Sequence, residues 1–420
     1  MSVALPDMLN YRPVAALPGG TSTLNVATSP SNGSSFAEGA QIICDLTSRG
    51  ALIPDSLYMS YKYAYTNTVN AEMIGTPAYS PFSSLQVQIG SQTVETIANY
   101  NIVMNTLTNL SHTVSDKYGQ LPALGYFANT GVPSLEQLDG RTLTANESGS
   151  FSAPIICSLT NCDKAVPLNK MPQVRLILTL DSLSNYFTTT IATPTAVAIT
   201  NFELRYKVLN LSGEVENQVM KMDRIPIKTH SFASSSAVLA SGSSGFQEIN
   251  YNFRFASVKD LIAVNGTGTA GGNKAFDSVE LSTSGDDSAY SFALNGQVYP
   301  QKSMSTQRGR AQLLQELRSV AGSIFDKHNS MAINAVEFNY NGTAASTTYQ
   351  APGKFYVGTN VSKTDADGIL SGVDTNNSPI GYRMDLGSSI GANNSTITMI
   401  CHYDATYVID PASGEVTYRS

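Results

Sequence analysis

A chain of 420 residues is longer than one hydrophobic core usually serves, because single cores stop growing at roughly 250–300 residues, so two domains are expected. Charged residues make up only 14%, against a usual share of about 25%, which leaves Ser, Thr, Asn and Gln to form a polar surface suited to broad contacts. The net charge of −7, with Arg12 the single basic residue among the first forty, excludes a basic arm that grips nucleic acid through its phosphates.

Residues 1–34 contain Pro6, Pro13, Pro18 and a Ser/Asn/Gly run at 29–34, and they read as an irregular N-terminal arm. Strands follow. In 57–65 the odd positions Leu57, Met59, Tyr61, Tyr63 and Tyr65 are large and mostly apolar, while Ser60 and Lys62 alternate with them, the period of a strand buried on one face. The alternation recurs at Leu85, Val87 and Ile89, at Val174, Leu176, Leu178 and Leu180, and at Phe202, Leu204, Tyr206 and Val208. The last set opposes Glu203, Arg205 and Lys207 on a solvated face. A basic-apolar stretch at 221–228 and a Ser/Ala/Gly-rich stretch at 234–245 mark a domain boundary. Beyond it Ile249, Tyr251, Phe253 and Phe255 alternate with Asn250, Asn252 and Arg254, and strands follow at 290–294 and 397–403. The Gly/Ser/Thr/Asn-rich segments 265–288 and 339–378 read as long loops, a kind that is often functional. The chain thus divides into an arm at 1–34, a first β domain at 35–220, a linker at 221–245 and a second β domain at 246–420.

The halves repeat one another in order. Strand 85–89 runs into Gly90-Ser91-Gln92, a second strand and a helical stretch with Ile102, Val103, Leu107 and Leu110 on one face. Strand 290–294 runs into Asn295-Gly296-Gln297, a second strand and a helical stretch with Leu313, Leu314, Leu317 and Ala321 on one face, and Asn-Gly between short strands signals a tight turn. Each half closes on a strand followed by Ser-Gly-Glu-Val, at Ser212 and again at Ser413. The offset is 205 positions for the first pair of features and 201 for the second, which argues for a duplicated unit of about 200 residues. Many short strands at close spacing imply an all-β sandwich or barrel. An immunoglobulin-like sandwich needs only about 100 residues, so a jelly roll suits each unit better.

Residues able to carry chemistry form no reactive constellation. Cys44, Cys157 and Cys401 sit in apolar runs and read, with Cys162, as free thiols; Cys157 and Cys162 lack the second pair of a zinc site. His112, His230, His328 and His402 have no metal-ligand spacing, and His402 and Cys401 would face opposite sides of a strand. Gly271-Gly272-Asn273-Lys274 falls short of a phosphate loop. Asp365-Ala366-Asp367-Gly368 resembles a calcium loop only faintly, because Lys363 falls at its first ligand position. Asp286-Asp287 reads as a solvated tip, and the sequons at Asn109, Asn146 and Asn265 are expected by chance in so Asn/Ser/Thr-rich a chain. No apolar run reaches the ~18 residues that span a bilayer, and 1–10 lack a signal-peptide pattern, so a reducing, soluble compartment is expected. No catalytic, cofactor-binding or metal residue is assigned.

The order strand, turn, strand, helix and closing strand is carried by 81–99, 165–186 (AVPLNKMPQVRLILTLDSLSNY), 291–300 (SFALNGQVYP) and 403–418 (YDATYVIDPASGEVTY). It resembles the double jelly-roll major capsid proteins of tailless membrane-containing bacteriophages, adenoviruses, virophages, polinton-like viruses and large algal DNA viruses, and is nearest in style to the polinton-like and virophage members. The likeness spans most of 36–420. It implies two tandem jelly-roll β-barrels with a short helix after a hairpin in each, and three chains forming a pseudo-hexameric trimer that tiles an icosahedral shell. On that likeness the protein is a structural component of a virion and not an enzyme, and it uses no cofactor. It is made in the host cytoplasm or nucleus and is not secreted. Its partners are its own copies, neighbouring trimers, penton or vertex proteins and minor capsid proteins, with a membrane beneath the shell in many members and no sequence-specific nucleic acid. Lys302, Arg308, Arg310 and Arg318 then read as an exposed helix start and face, or as a contact to an acidic neighbour or lipid head group inside the shell. The competing readings are a viral spike, vertex or receptor-binding β-sandwich, and a carbohydrate-active β-sandwich. The latter needs two carboxylates across a cleft and aromatic platforms, and the absence of Trp counts against it.

Overall fold

A computed structural model describes residues 20–66, 71–113, 116, 122–125, 140–143, 148–187, 196–266, 276, 278–281, 287–325, 331–333, 338, 354–363, 370–390 and 394–420. The first unit contains β1 (Ser22–Thr28), β2 (Ser35–Phe36), β3 (Gln41–Asp45), β4 (Ala51–Leu52), β5 (Tyr58–Thr66), β6 (Ala71–Ile74), β7 (Phe82–Ile89), β8 (Gln92–Ala98), helix α1 (Tyr100–Ser111), β9 (Gly140–Leu143), β10 (Ser148–Pro154), β11 (Val166–Pro167), β12 (Val174–Leu180) and β13 (Ala196–Asn210). After helix α2 (Gly213–Met220), the second unit contains β14 (Ile225–Leu239), β15 (Gly245–Tyr251), β16 (Val258–Gly266), β17 (Ala289–Leu294), β18 (Gln297–Ser305), helix α3 (Arg310–Phe325), β19 (Tyr356–Asn360), β20 (Ile380–Leu386), β21 (Ser395–Ile409) and β22 (Val416–Arg419).

The strand order identifies the fold. In the second unit one sheet runs β14-β21-β16-β19, with β22 also on β21, and the other runs β15-β20-β17-β18. Counting β14 to β21 as first to eighth, the sheets take the first, eighth, third and sixth strands and the second, seventh, fourth and fifth: a jelly roll. The first unit repeats this, with β1 and β2 together in first place and β4 and β5 in third. Its sheets are β1/β2-β13-β4/β5-β10, with β11 on β4, and β3-β12-β7-β8. The fold is therefore a tandem pair of jelly rolls of the same winding, as the sequence repeat predicts.

Alternation explains the sandwich. In β5, Met59, Tyr61, Tyr63 and Tyr65 are buried between exposed or half-exposed neighbours. In β13 the buried parity changes along the strand, from Val197 and Ile199 to Phe202, Leu204, Tyr206 and Val208. The register against β5 shifts between Thr200 and Glu203, and Asn201 takes a positive φ of 50°. A bulge there re-aims the rest of the strand at the core. Tyr61, Phe82, Phe151 and Phe202 pack as rings at the first core, and Tyr290, Phe292, Phe355 and Tyr382 at the second. The Asn295-Gly296 turn has positive φ at both residues (50° and 78°), as a two-residue hairpin turn requires.

Four expectations are corrected. Within the expected arm at 1–34, Ser22–Thr28 is a strand paired along β13, so it belongs to the first barrel; residues 1–19 lie outside the described residues. Within the expected linker at 221–245, Ile225–Leu239 pairs with all fifteen residues of β21 and is the first strand of the second barrel. Both stretches are rich in Ser, Thr and Ala, and a small polar side chain suits a strand whose exposed face needs little apolar surface. The Ser-Gly-Glu-Val motifs also differ: at 213 the chain enters α2, while at 413–414 it turns into β22. Their likeness is one of position and not of conformation. Phe253 and Phe255 follow β15 outside any strand, and Phe255 stacks on Tyr403 at 3.8 Å between ring centroids.

Candidate functional site

The most elaborate polar chemistry lies where the two barrels meet. Helix α1 leaves the β7–β8 hairpin and is buried along its length: every residue from Tyr100 to Leu110 is buried. That is unexpected for a helix whose sequence carries Asn101, Asn105, Thr106, Thr108 and Asn109. Burying an amide costs several kcal/mol unless it is hydrogen-bonded, and each Asn is bonded. Asn101 donates to Asp181 Oδ2 (2.8 Å) and to the Ser80 carbonyl (3.2 Å) within the first barrel. Asn105 accepts from Thr76 Oγ1 (3.1 Å) in the first barrel and donates to the Phe276 carbonyl (3.1 Å) in the second. Asn109 donates to Tyr356 Oη (3.0 Å) in the second barrel, and the amide of Ala332 donates to the Leu110 carbonyl (2.9 Å). The backbone comes close as well: Gly75 has a φ of +75°, and a Cβ there would stand 2.6 Å from the Phe276 ring.

Beside the helix, β8 and the segment after β10 cover the free edge of β14. Glu95 on β8 is 4% exposed, and its carboxylate accepts from the amide (2.9 Å) and hydroxyl (2.6 Å) of Ser158 and from the hydroxyl of Ser231 on β14. Tyr407 Oη lies 2.6 Å from Ser158 Oγ and, since that hydroxyl donates to Glu95, is the donor in this pair. Burial pushes the Glu95 carboxyl up from its ordinary range, and the bonds from Ser158 and Ser231 oppose that rise. Ser234 donates to the Ala98 carbonyl, and Asn99 donates to Ser236 (3.1 Å). On the edge itself the Lys228 carbonyl accepts from the Asp163 amide (2.9 Å), and the His230 carbonyl from Asn161 Nδ2 (3.0 Å). An edge strand presents unpaired backbone groups that must be covered or paired; here the first barrel covers that of the second.

A cleft of about 630 Å³ opens at the end of this seam, between Asp163 and Lys164 of the first barrel and Lys228, His230, Lys259 and His402 of the second. His402 Nδ1 lies 2.7 Å from Asp260 Oδ2 and its Nε2 lies 3.0 Å from His230 Nδ1; Ser323 also donates to Asp260 (2.9 Å). Burial, then the positive charge of Lys259, pushes the His402 imidazole down to about 3, and burial and the neighbouring His402 push His230 well below its usual value. The bonding assigns the tautomers: neutral His402 donates from Nδ1 to Asp260 and accepts at Nε2 from His230 Nδ1–H. These partners are 142 and 172 residues apart in sequence, so no spacing motif could reveal them.

The residues singled out from sequence scatter through the fold. Cys44, Cys157 and Cys401 are buried and free, Cys162 is half-buried and free, and burial pushes the Cys44 and Cys157 thiols up to about 12, which leaves them unreactive. Arg310 departs from the expected exposed helix start. It pairs with Glu280 and lies 5.8 Å from the centroid of the Phe355 ring, holding α3 to its own barrel. Lys302 and Arg308 are exposed and Arg318 half-exposed. Asp287 accepts from Ser305 and from the Gln307 amide (3.2 Å), and so caps the approach to α3. His328, Asn146, residues 271–274, Asp286 and residues 365–368 lie outside the described residues. Among the described residues no three His, Cys, Asp or Glu side chains cluster as metal ligands, and no helix is long and apolar enough to cross a membrane.

No protein-family model and no curated protein sequence matches this chain. Solved structures do. VP54 of PBCV-1, fitted into a cryo-EM reconstruction of the virophage Sputnik, is 13% identical with a TM-score of 0.62, over 98% of this chain and 99% of that one. The major capsid protein of Faustovirus is 9% identical with a TM-score of 0.58, over 96% and 92%. That of mavirus is 10% identical with a TM-score of 0.53, over 100% and 95%. Each likeness covers both barrels and nearly the full length of both chains, and establishes a shared double jelly-roll architecture.

Proposed function

We propose that this chain is the major capsid protein of an icosahedral virus, and that three copies form a capsomer with six barrels around its rim. One observation carries the reading: two barrels of identical strand order are welded by a fully buried helix into one block, the arrangement that lets three chains present six similar pillars. End-to-end similarity to structures named as major capsid proteins supports it. The chemistry agrees: Cys44, Cys157 and Cys401 are buried, His230 and His402 are held neutral, and the Glu95 cluster serves the seam between barrels.

On this reading the domains are a first barrel beginning at β1 and a second beginning at β14, joined by the short segment around α2. The partners are further copies of the chain, then neighbouring capsomers, vertex proteins and minor capsid proteins, with a membrane beneath the shell as the family resemblance implies. The protein resides in the virion. Electron microscopy of purified protein, with mass photometry of the same sample, tests this. Particles of three-chain mass with hexagonal outlines are expected, and a stable lone monomer at micromolar concentration would overturn the reading.

A further inference from the structure

Three adjacent strands of the second barrel set a row of residues beneath the end of α3. Phe232 of β14 stands opposite His402 of β21, and His402 stands opposite Asp260 of β16. The Phe232 ring stacks on His402 at 5.0 Å between centroids, and the His230 ring meets His402 edge-on at 4.9 Å. Ser323, in the last turn of α3, donates to the same Asp260 oxygen that receives His402 Nδ1–H. The strand that supplies His230 is also the seam strand. The carbonyls of Lys228 and His230 receive the Asp163 amide and the Asn161 side chain, and the Thr229 hydroxyl donates to the Ser158 carbonyl. The histidine chain and the joint between the barrels therefore share residues 228–230.

Only one proton fits between the two imidazoles. His402 Nε2 accepts from His230 Nδ1–H over 3.0 Å, and an imidazolium carries N–H on both nitrogens. With both rings charged, two N–H groups would point at each other with no acceptor between them. The surroundings add to the cost. Lys228 of β14, Lys259 of β16 and Lys164 of the first barrel line the same cleft, and Lys259 and Lys228 oppose protonation of His230. The carboxylates that face the pair are Asp260 of β16, Asp404 of β21 and Asp163 of the first barrel. Asp260 already accepts from His402 and Ser323, Asp404 accepts from Ser257 Oγ (3.2 Å), and Asp163 is exposed to solvent. From α3, Ser323 and Ile324 line the cleft, and neither is charged.

We propose that the His230–His402 pair is an acid-operated release for this joint: proton uptake parts the first-barrel segment 161–164 and the last turn of α3 from β14 and β21, and hydrates both rings. Those two segments are walls of the 630 Å³ cleft, so moving them is the shortest route for water to His402, which is 2% exposed. Closed, His402 is held down at about 3 and His230 well below its usual value; open, both return to about 6.5. The closed joint is therefore favoured above about 6.5 and loses ground as pH falls. At pH 5 each hydrated histidine multiplies the open population about 30-fold relative to pH 8, and the two together about 1000-fold. Glu95, with its raised carboxyl, keeps its proton in acid, so its part of the seam stays closed and the release is local. The inference goes beyond the capsomer reading and does not depend on it; on that reading it gives each shell subunit an acid-sensitive joint.

Hydrogen exchange of the purified full chain at pH 8 and pH 5, corrected for the intrinsic pH dependence of exchange, tests it. Peptides covering 225–231 and 320–325 should open about 1000-fold more at pH 5, while peptides covering α1 keep their protection. His402→Gln should cut the rise to about 30-fold, and H230Q/H402Q should abolish it. His230→Gln alone, at a half-buried position, should also leave about 30-fold and serves if the buried substitution prevents folding, as judged by a melting curve at pH 8. Equal corrected protection of the parent at both pH values overturns the proposal. So does a rise that survives undiminished in the variants, or one that spreads equally over α1, which is general acid unfolding. Mass photometry of the same sample at pH 8 reports on the capsomer reading separately.

Discussion

Glu95 and His402 show how a buried ionisable group tunes stability in opposite directions. The folded-state pKa of Glu95 is raised, so between the unfolded value near 4.5 and that higher folded value the native state holds the extra proton, and stability falls as pH rises through this window. Glu95→Gln keeps an acceptor for Ser158, removes the charge, and should abolish that slope in denaturant titrations repeated across pH. Glu95→Ala orphans the donors of Ser158 and Ser231 and should cost about 1–3 kcal/mol per unsatisfied group at neutral pH. His402 behaves inversely. Its folded pKa is lowered to about 3, so below about 6.5 the unfolded chain binds a proton that the native state refuses. Stability is full above about 6.5 and is lost as pH falls towards 3. His402→Gln should flatten this acid limb, and an unchanged limb would show that another group drives it. Asp260, Asp404, Lys259 and Lys228 also face the pair, from β16, β21 and β14, and Asp163 and Lys164 face it from the first barrel.

The two helices set the lesson for elements. Both helices were readable from their apolar spacing, with Leu107 and Leu317 at the centre of each buried stripe. What periodicity could not reveal is that α1 has no solvent side, because the second barrel covers the face that local amphipathicity assigns to water. Leu107→Ala and Leu317→Ala should each cost about 2–5 kcal/mol, since both side chains are fully packed and the cavities left behind cannot collapse. Asn105→Ala separates the helices: it breaks bonds to both barrels and should destabilise, whereas Gln315→Ala at the equivalent exposed site should change monomer stability by less than about 0.5 kcal/mol. Equal effects in urea unfolding would contradict the burial of α1. Strands β1 and β14 escaped sequence reading for a related reason. Their Ser, Thr and Ala residues carry weak apolar signals, and their strand state comes from long partners far away in sequence, β13 and β21.

Because α1, Glu95 and the edge of β14 join the barrels through buried polar bonds, the two units should unfold together. Calorimetry of the full chain is expected to show one transition, although the chain is large enough for two. The double variant N105A/N109A removes two of the bonds to the second barrel and should split or broaden it. Two resolved transitions in the parent would mean that the seam is weaker than its burial implies. A single rigid block is also what an assembly of repeated pillars needs, since a hinge between barrels would let the ring angle drift from copy to copy.

The amino-acid pattern was sufficient to establish the all-β class, the duplication and the hairpin-plus-helix in each unit. Each of these depends on local alternation, turn residues or composition, which neighbours in the chain encode directly. The pairing of β1 and β14, the complete burial of α1, the Glu95 cluster and the His230–His402–Asp260 chain depend on residues up to 249 positions apart being brought together. Such contacts have no spacing to read, because the jelly-roll winding, and not the distance along the chain, decides which strands become neighbours.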